Sequence, residues 1–344
     1  MAASIIFLGT GTDPYVVGRQ IRAAGGIIIQ INDHQFHIDP GPGALALASQ
    51  CSVNLRATTA VLVSHNHLYH CNDVNAVVDA MTYSGFDKKG VLVSNNTLIN
   101  GAEGYQPYLV DFYKNCLERF IVVEPEHKVA IDDIEILALK TRHKEPKAIG
   151  FKFFTPQFTL TYSGDTKYSK DIVESYRNSN ILILNVPFVR KEEAEESMNL
   201  CCEDAVKIIK EISPRLAIIT HFGIDMVKAD PLYEAREIQK QTNIQIIAAK
   251  DGMVINPVSY AVNLGQKTLK TFSKEGIEVS ERKTETKDTE KDKKELIEAP
   301  KKEIIEKKED LPAEQKPTQK QLIEEDIAKS NKTLRDIFLE QSEQ

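Results

Sequence analysis

The stretch Ser64-His65-Asn66-His67-Leu68-Tyr69-His70-Cys71 places three of the chain's eight histidines within six residues. Neutral imidazole nitrogen is a good ligand for zinc and similar metals, at roughly 2.0 to 2.1 Å, so the chemistry this cluster offers is metal binding. The preceding apolar run, Ala60-Val61-Leu62-Val63, reads as a strand. Alternate residues of an extended segment face the same way, so His65 and His67 can share one ion. His70 falls where the chain turns toward a helix opened by Asn72 and Asp73, points from another direction and can serve a neighbouring ion. Three more candidates occupy the same kind of place: His143 follows "ILALKTR", Asp165 follows "LTYSG" and His221 follows "LAIIT". Strands that end at one rim of a sheet would gather these side chains there. His34 and His127 lack that context and read as ordinary surface or interior histidines.

The elements that must position these residues are short apolar runs of strand character: "SIIFLG", "GGIIIQI", "QFHID", "AVLVS", "GVLVS", "FIVVE", "IEILALK", "IGFKFF", "FTLTYSG", "ILILNV", "LAIITH" and "IQIIAA". Helical patterning covers Asn72 to Tyr83, Ser169 to Arg177, Cys202 to Ile212 and Pro231 to Gln241. Strands outnumber helices early in the chain, so a regularly alternating parallel sheet fits poorly, and two sheets packed face to face with helices outside use the inventory better. No fixed-period repeat is present. The helix at Asn72 to Tyr83 and the stretch "GAEGYQPYLVDFY" are expected to shape a pocket, with Tyr105 and Tyr108 as candidates for its lining or for plain packing.

From about Gly265 onward charged residues dominate and aromatic residues almost vanish, a composition that cannot bury a core. Residues 1–264 therefore form the expected folded domain, and residues 265–344 a charged, low-complexity, largely disordered tail, within which 318–341 has apolar residues near helical spacing. That segment is a candidate for a protein partner or for self-association. The chain holds 43 Lys and Arg against 50 Asp and Glu, and the acidic excess persists in the folded part, so a grip on long nucleic acid is not favoured. Five cysteines, two of them adjacent, suit reduced thiols and a cytoplasmic setting. No apolar run approaches a membrane span and no signal peptide is visible.

"HNHLYH" resembles the His-x-His-x-Asp-His signature of the metallo-β-lactamase superfamily. "FHIDPGPGAL" is similar to that family's early strand-Asp-turn motif, and "RHKEPKAIGFKF", "YSGDT" and "ITHFG" resemble its later ligand motifs, in the expected order from Ile5 to about Pro257. The resemblance implies an α/β (α+β) four-layer αββα sandwich with a metal site at the rim between the sheets. The spacing of His143, Pro146 and "IGFKF" resembles the branch of transfer-RNA 3′-processing endonucleases and small phosphodiesterases. Carried over by residue, it puts His65, His67 and His143 on a first metal, Asp165 bridging to a second, and His70 and His221 on that second ion. Asp39 would lie beneath the site as the acceptor that fixes an imidazole's tautomer, or would cap the "PGPG" turn, or both. Gly9 and Gly11 resemble the family's first turn and are not a dinucleotide fingerprint, since no third glycine opens a helix.

Tyr69 departs from the pattern, which has a metal-binding aspartate there. Deprotonating a phenol of pKa near 10 at neutral pH costs about 4 kcal/mol. Tyr69 is therefore expected to leave the second site weak or empty, with one tightly bound Zn2+ at His65, His67, His143 and Asp165; Mn2+ or iron are alternatives, iron through a phenolate, and Cys71 is a remoter replacement ligand. The expected activity is hydrolysis by a metal-activated water of a small-molecule or short-nucleotide phosphodiester, ester or lactone, with Asp165 and Tyr69 as proton handlers. The short segment from His143 to Asp165 leaves no room for the substrate-gripping arm that the resembling endonucleases insert there. The alternative is a catalytically impaired member whose rim binds a metal or ligand and whose tail recruits partners.

Overall fold

A computed structural model describes residues 3–261. The first sheet is built from β1 (Ala3–Phe7), β2 (Ile27–Ile31), β3 (His34–Ile38), β4 (Thr58–Val63), β5 (Val91–Ser94) and β6 (Arg119–Val122). The second takes β7 (Lys128–Ile131), β8 (Ile134–Lys140), β9 (Ile149–Phe154), β10 (Thr159–Tyr162), β11 (Ile181–Asn185), β12 (Leu216–Thr220) and β13 (Ile246–Ala248). A short β14 (Val254–Ile255) then returns to the edge of the first sheet beside β1. Every strand expected from the sequence is present. β7 and β14 carried no strong pattern: β7 is largely exposed and β14 has two residues.

The two sheets repeat one plan. In the order β14-β1-β2-β3-β4-β5-β6, pairing is antiparallel as far as β3 and parallel beyond it. In the order β7-β8-β9-β10-β11-β12-β13, pairing is antiparallel as far as β10 and parallel beyond it. Asp39 lies just past β3 and Asp165 just past β10, so each carboxylate stands at the strand where its sheet changes direction of pairing. The carboxyl ends of strands at such a switch leave a crevice that neighbouring connections do not fill.

Alternation on the strands sorts apolar residues to two faces. One set, including Phe7, Ile29, Phe36, Leu62, Phe151, Phe153, Leu160 and Ile183, packs between the sheets, where the Phe36 and Phe153 rings meet edge-on at 5.5 Å. Ile28, Val61 and Val63 of the first sheet face the other way and bury Val74, Val77, Val78 and Met81 of the helix Val74–Thr82. Leu182, Leu184 and Ile219 of the second sheet likewise cover Ile208 and Ile209 of the helix Cys202–Ile212 and Ile238 of Pro231–Thr242. The result is the four-layer αββα sandwich. The helix expected over Asn72 to Tyr83 spans Val74–Thr82, with a separate short helix, Leu68–Cys71, before it, and the one expected over Ser169 to Arg177 spans Lys170–Ser175.

Two backbone features bring the chain under the rim. Gly41 sits so close to the short helix that a Cβ there would lie 2.1 Å from Tyr69 O and 2.2 Å from Ala24 O, so only glycine lets the turn after β3 pass beneath Leu68–Cys71. Asp39 and His221 have φ of 50° and 65°, left-handed values unusual for residues other than glycine, and both point into the site. The boundary expected at 264 and the helix expected over 318–341 lie outside the described residues. Among the described residues all five cysteines are free, and no helix is long and apolar enough to cross a membrane.

Candidate metal centre

His65 and His67 leave the end of β4, His143 follows β8, Asp165 follows β10 and His221 follows β12, so strand ends from both sheets meet at one rim. His70 enters from the helix Leu68–Cys71. The side chains form two groups sharing Asp165: His65, His67, His143 and Asp165, and His70, Asp165 and His221, with the ligand atoms in each group within 4.8 Å of one another. His67 Nδ1 lies 2.9 Å from His65 Nε2 and 3.1 Å from His143 Nε2. Asp165 Oδ2 is 4.0 Å from His65 Nε2, 3.8 Å from His143 Nε2 and 3.3 Å from His70 Nε2, while its Oδ1 is 3.4 Å from His221 Nε2. Six residues separated by up to 156 positions in sequence thus converge on a volume the size of one or two ions.

The far nitrogens are anchored. His65 Nδ1 meets Ser64 Oγ at 2.9 Å, and that hydroxyl in turn donates to Asp39 Oδ2 at 2.8 Å, so Oγ accepts from the ring. His143 Nδ1 donates to Met198 O at 3.1 Å and His70 Nδ1 to Asp39 Oδ2 at 2.8 Å. With protons held there, the Nε2 atoms of His65 and His143 turn lone pairs inward. His67 Nδ1 faces both of them and can donate to one at most, leaving a lone-pair conflict that a cation relieves. His70 Nε2 is buried, with Asp165 Oδ2 at 3.3 Å as its neighbour. This donor set fits a divalent metal of the zinc type.

The electrostatics agree. Burial, with His70 next, holds His65 well below the usual imidazole value; burial and His143 bring His67 down to about 4; burial also lowers His221. These rings are neutral and ready to ligate. His70 is the exception: burial pulls it down, yet Asp165 and Asp39 outweigh it and raise the ring to about 10, so a cation would have to displace the Nε2 proton that faces Asp165 Oδ2 at 3.3 Å. Burial raises Asp165, but His221 and His70 hold it well below the usual carboxylate range. Asp165 is further fixed by Asn185, whose Nδ2 donates to Asp165 Oδ1 at 2.7 Å and to Tyr162 Oη at 3.1 Å, and Tyr162 Oη donates to Asp39 Oδ2 at 2.6 Å.

Asp39 therefore lies under the site against an imidazole. The turn after it is closed by its backbone carbonyl, which accepts from Gly41 N at 2.8 Å, so the carboxylate is not the turn's cap. Tyr69 lines the cleft, and burial with Asp13 raises its phenol, which keeps it protonated. Cys71 is buried in the outer core with Sγ donating to His67 O at 3.3 Å, so it is not a ligand in this arrangement. Sequence reasoning missed Ser64, Asn185, Tyr162 and Met198. Of these Ser64 and Asn185 carried a signal, since "AVLVS" and "ILILN" both end an apolar strand on a polar residue.

Above this cluster opens a cleft of about 650 Å3 whose walls include Pro14, Leu68, Tyr69, Pro187, Phe188 and Ile224. Lys144 is the one cationic side chain other than histidine in its lining among the described residues. Tyr105 and Tyr108 do not line it; Tyr108 packs against the outer core, with its hydroxyl on Asn72 Oδ1 at 3.2 Å.

A four-layer sandwich with a cluster of His and Asp side chains that could hold a metal at the shared rim defines a metallohydrolase fold. Residues 34–222 match the family described as the beta-lactamase superfamily domain, and the chain belongs to that metallo-β-lactamase superfamily. It is 31% identical over 257 residues to an uncharacterized protein of Methanocaldococcus jannaschii, covering 74% of this chain and 95% of that one. It is 20% identical over 285 residues to ribonuclease Z of Methanopyrus kandleri, covering 72% and 96%. The metallo-beta-lactamase fold protein YhfI from Bacillus subtilis superposes with a TM-score of 0.62 at 20% identity, over 74% of this chain and 99% of that one.

Proposed function

We propose that the protein is a metal-dependent hydrolase of a small or short-nucleotide substrate carrying a phosphodiester, ester or lactone bond. The observation that carries this reading is the convergence of His65 Nε2, His67 Nδ1, His143 Nε2 and Asp165 at the floor of a mostly apolar cleft. Zn2+ is the ion we assign to these four, held tightly, with a second position at His70, Asp165 and His221 weak or empty; Mn2+ and iron are the alternatives. A divalent ion held there would supply a water of lowered pKa and a polarised substrate oxygen.

The chain's own side chains do the rest. Leu68 and Phe188 hold an apolar or planar group and exclude water, and Lys144 receives an anionic one. Asp165, ionised and beside both ligand groups, is the nearest acceptor for the proton of the attacking water; its depressed affinity for protons makes that transfer depend on the acidity a bound ion would give the water. Tyr69, kept protonated, donates from Oη to the departing oxygen. The cleft's single lysine and the use of the segment between His143 and Asp165 for the β9–β10 hairpin favour a small substrate over transfer RNA, although ribonuclease Z is among the relatives.

Tyr69 supports a second reading, a member of the fold that binds a metal or ligand without turnover and recruits partners through residues 265–344. One assay separates the two. The Zn2+-loaded protein is tested on bis(p-nitrophenyl) phosphate, a p-nitrophenyl ester and a simple lactone, beside His67→Ala and Tyr69→Asp. Turnover by the unmodified protein that is lost in His67→Ala supports the hydrolase. Activity confined to Tyr69→Asp supports the impaired member.

A further inference from the structure

We infer that Glu145 and Asn95 form a buried clamp between the two sheets that sets the spacing of the ligands in the His65, His67, His143 and Asp165 group; the inference rests on the metal-site reading above. Glu145 stands two residues after His143 and is only 1% exposed, yet it belongs to neither ligand group. A buried carboxylate is costly unless its oxygens are occupied. Both are. Oε1 accepts from Thr97 Oγ1 and from Lys147 N, each at 3.0 Å, and Oε2 accepts from Asn95 Nδ2 at 2.9 Å.

Asn95 and Thr97 belong to the other sheet's side of the molecule, just past β5. Asn95 caps the helix Asn96–Asn100 through Oδ1, which accepts from Leu98 N at 2.9 Å. Its Nδ2 also reaches Lys147 O at 3.0 Å and Ser64 O at 3.3 Å. Ser64 O in turn accepts from Ile149 N at 3.0 Å. One amide therefore joins the residue before His65 to the loop after His143.

The clamp's location is what matters. His65 and His67 come from the first sheet, His143 and Asp165 from the second, and between the sheets lies an apolar core whose contacts carry little direction. Metal ligands must be held to within about half an ångström, which directional hydrogen bonds achieve and hydrocarbon contact does not. Met198 orients the His143 ring. The clamp fixes where the loop carrying that ring lies. Glu145 and Asn95 act through the ligands and are positioning residues.

Glu145→Gln keeps size and shape but turns one oxygen into an NH2 group, which then faces either Asn95 Nδ2 or the Thr97 and Lys147 donors. The test is Co2+ titration of full-length apoprotein in competition with a chelator, with the visible absorption of bound Co2+ reporting ligand geometry. Roughly ten- to hundredfold weaker binding and an altered band are expected for Glu145→Gln, with the far-ultraviolet circular dichroism of the unmodified protein retained. Thr97→Val removes a single donor and should lose less in the same direction, which keeps the test decisive if Glu145→Gln does not fold. Unmodified affinity and spectrum in the folded variants, whatever their melting temperatures, would reduce the clamp to ordinary packing and overturn the inference. Failure of the unmodified protein to take up Co2+ would overturn the metal-site reading itself, and the clamp with it.

Discussion

Asp39 Oδ2 receives His70 Nδ1 at 2.8 Å and, through Ser64 Oγ at the same distance, reaches His65 Nδ1, so one carboxylate orients an imidazole in each ligand group. Its Oδ1 accepts from Ser64 N at 2.6 Å, leaving no oxygen idle. In Asp39→Asn the amide NH2 must face either Ser64 N or the three donors on the Oδ2 side. Metal affinity should fall roughly ten- to hundredfold, measured as the chelator concentration that strips half the Zn2+. Retention equal to the unmodified protein would show that the imidazoles orient without Asp39.

The candidate ligands were legible because five of the six follow apolar strands in a repeated pattern, and the structure brings their side chains together at one rim. Their hydrogen-bond supports were not. Met198 and Tyr162 are joined to the site by contacts that no local pattern encodes, and Glu145 lies in a loop whose charge alone suggests exposure. The strands were read because their alternation and apolar content are local properties, whereas β7 and β14 exist only through pairing with a neighbour. The pocket was misplaced for the same reason: Leu68, Phe188 and Ile224 are brought together by three separate strand-to-helix connections.

Deletion of residues 265–344 should leave the folded domain and its metal intact. The last described residues still belong to the core, since Val258 and Tyr260 pack against the layer between the sheets, and the charged composition begins beyond them. The truncated protein is expected to match the full chain in melting temperature and zinc content. Insoluble or metal-free protein after truncation would place the tail within the fold.

His37 gives stability a pH dependence of known sign. The ring is fully buried on β3, with Nε2 on Gly25 O at 2.9 Å, and burial brings it down to about 4 against 6.5 for an exposed histidine. The folded state therefore favours the neutral ring. Its contribution is complete above pH 6.5 and is lost as pH falls from 6.5 toward 4, amounting to about 3 kcal/mol. His37→Gln retains a donor for Gly25 O and removes the titration. In urea unfolding of chelated protein at pH 7.5 and 4.5, the unmodified chain should lose about 2 to 3 kcal/mol more than the variant. Equal losses would mean that the ring is not held neutral.

Metal stoichiometry tests the departure at Tyr69 most directly. Both ligand groups are assembled, yet the second has three protein donors where the first has four, and the side chain that would complete it is a phenol that burial and Asp13 keep protonated. The purified protein is expected to hold about one divalent ion per chain tightly. His67→Ala removes a ligand unique to the first group and should release that ion; His70→Ala and His221→Ala should change occupancy far less. Tyr69→Asp supplies a carboxylate already ionised at neutral pH beside His70, His221 and Asp165, and should raise the content toward two. Two tightly held ions in the unmodified protein would refute this assignment, and a strong visible absorption band with iron on elemental analysis would point instead to a phenolate ligand.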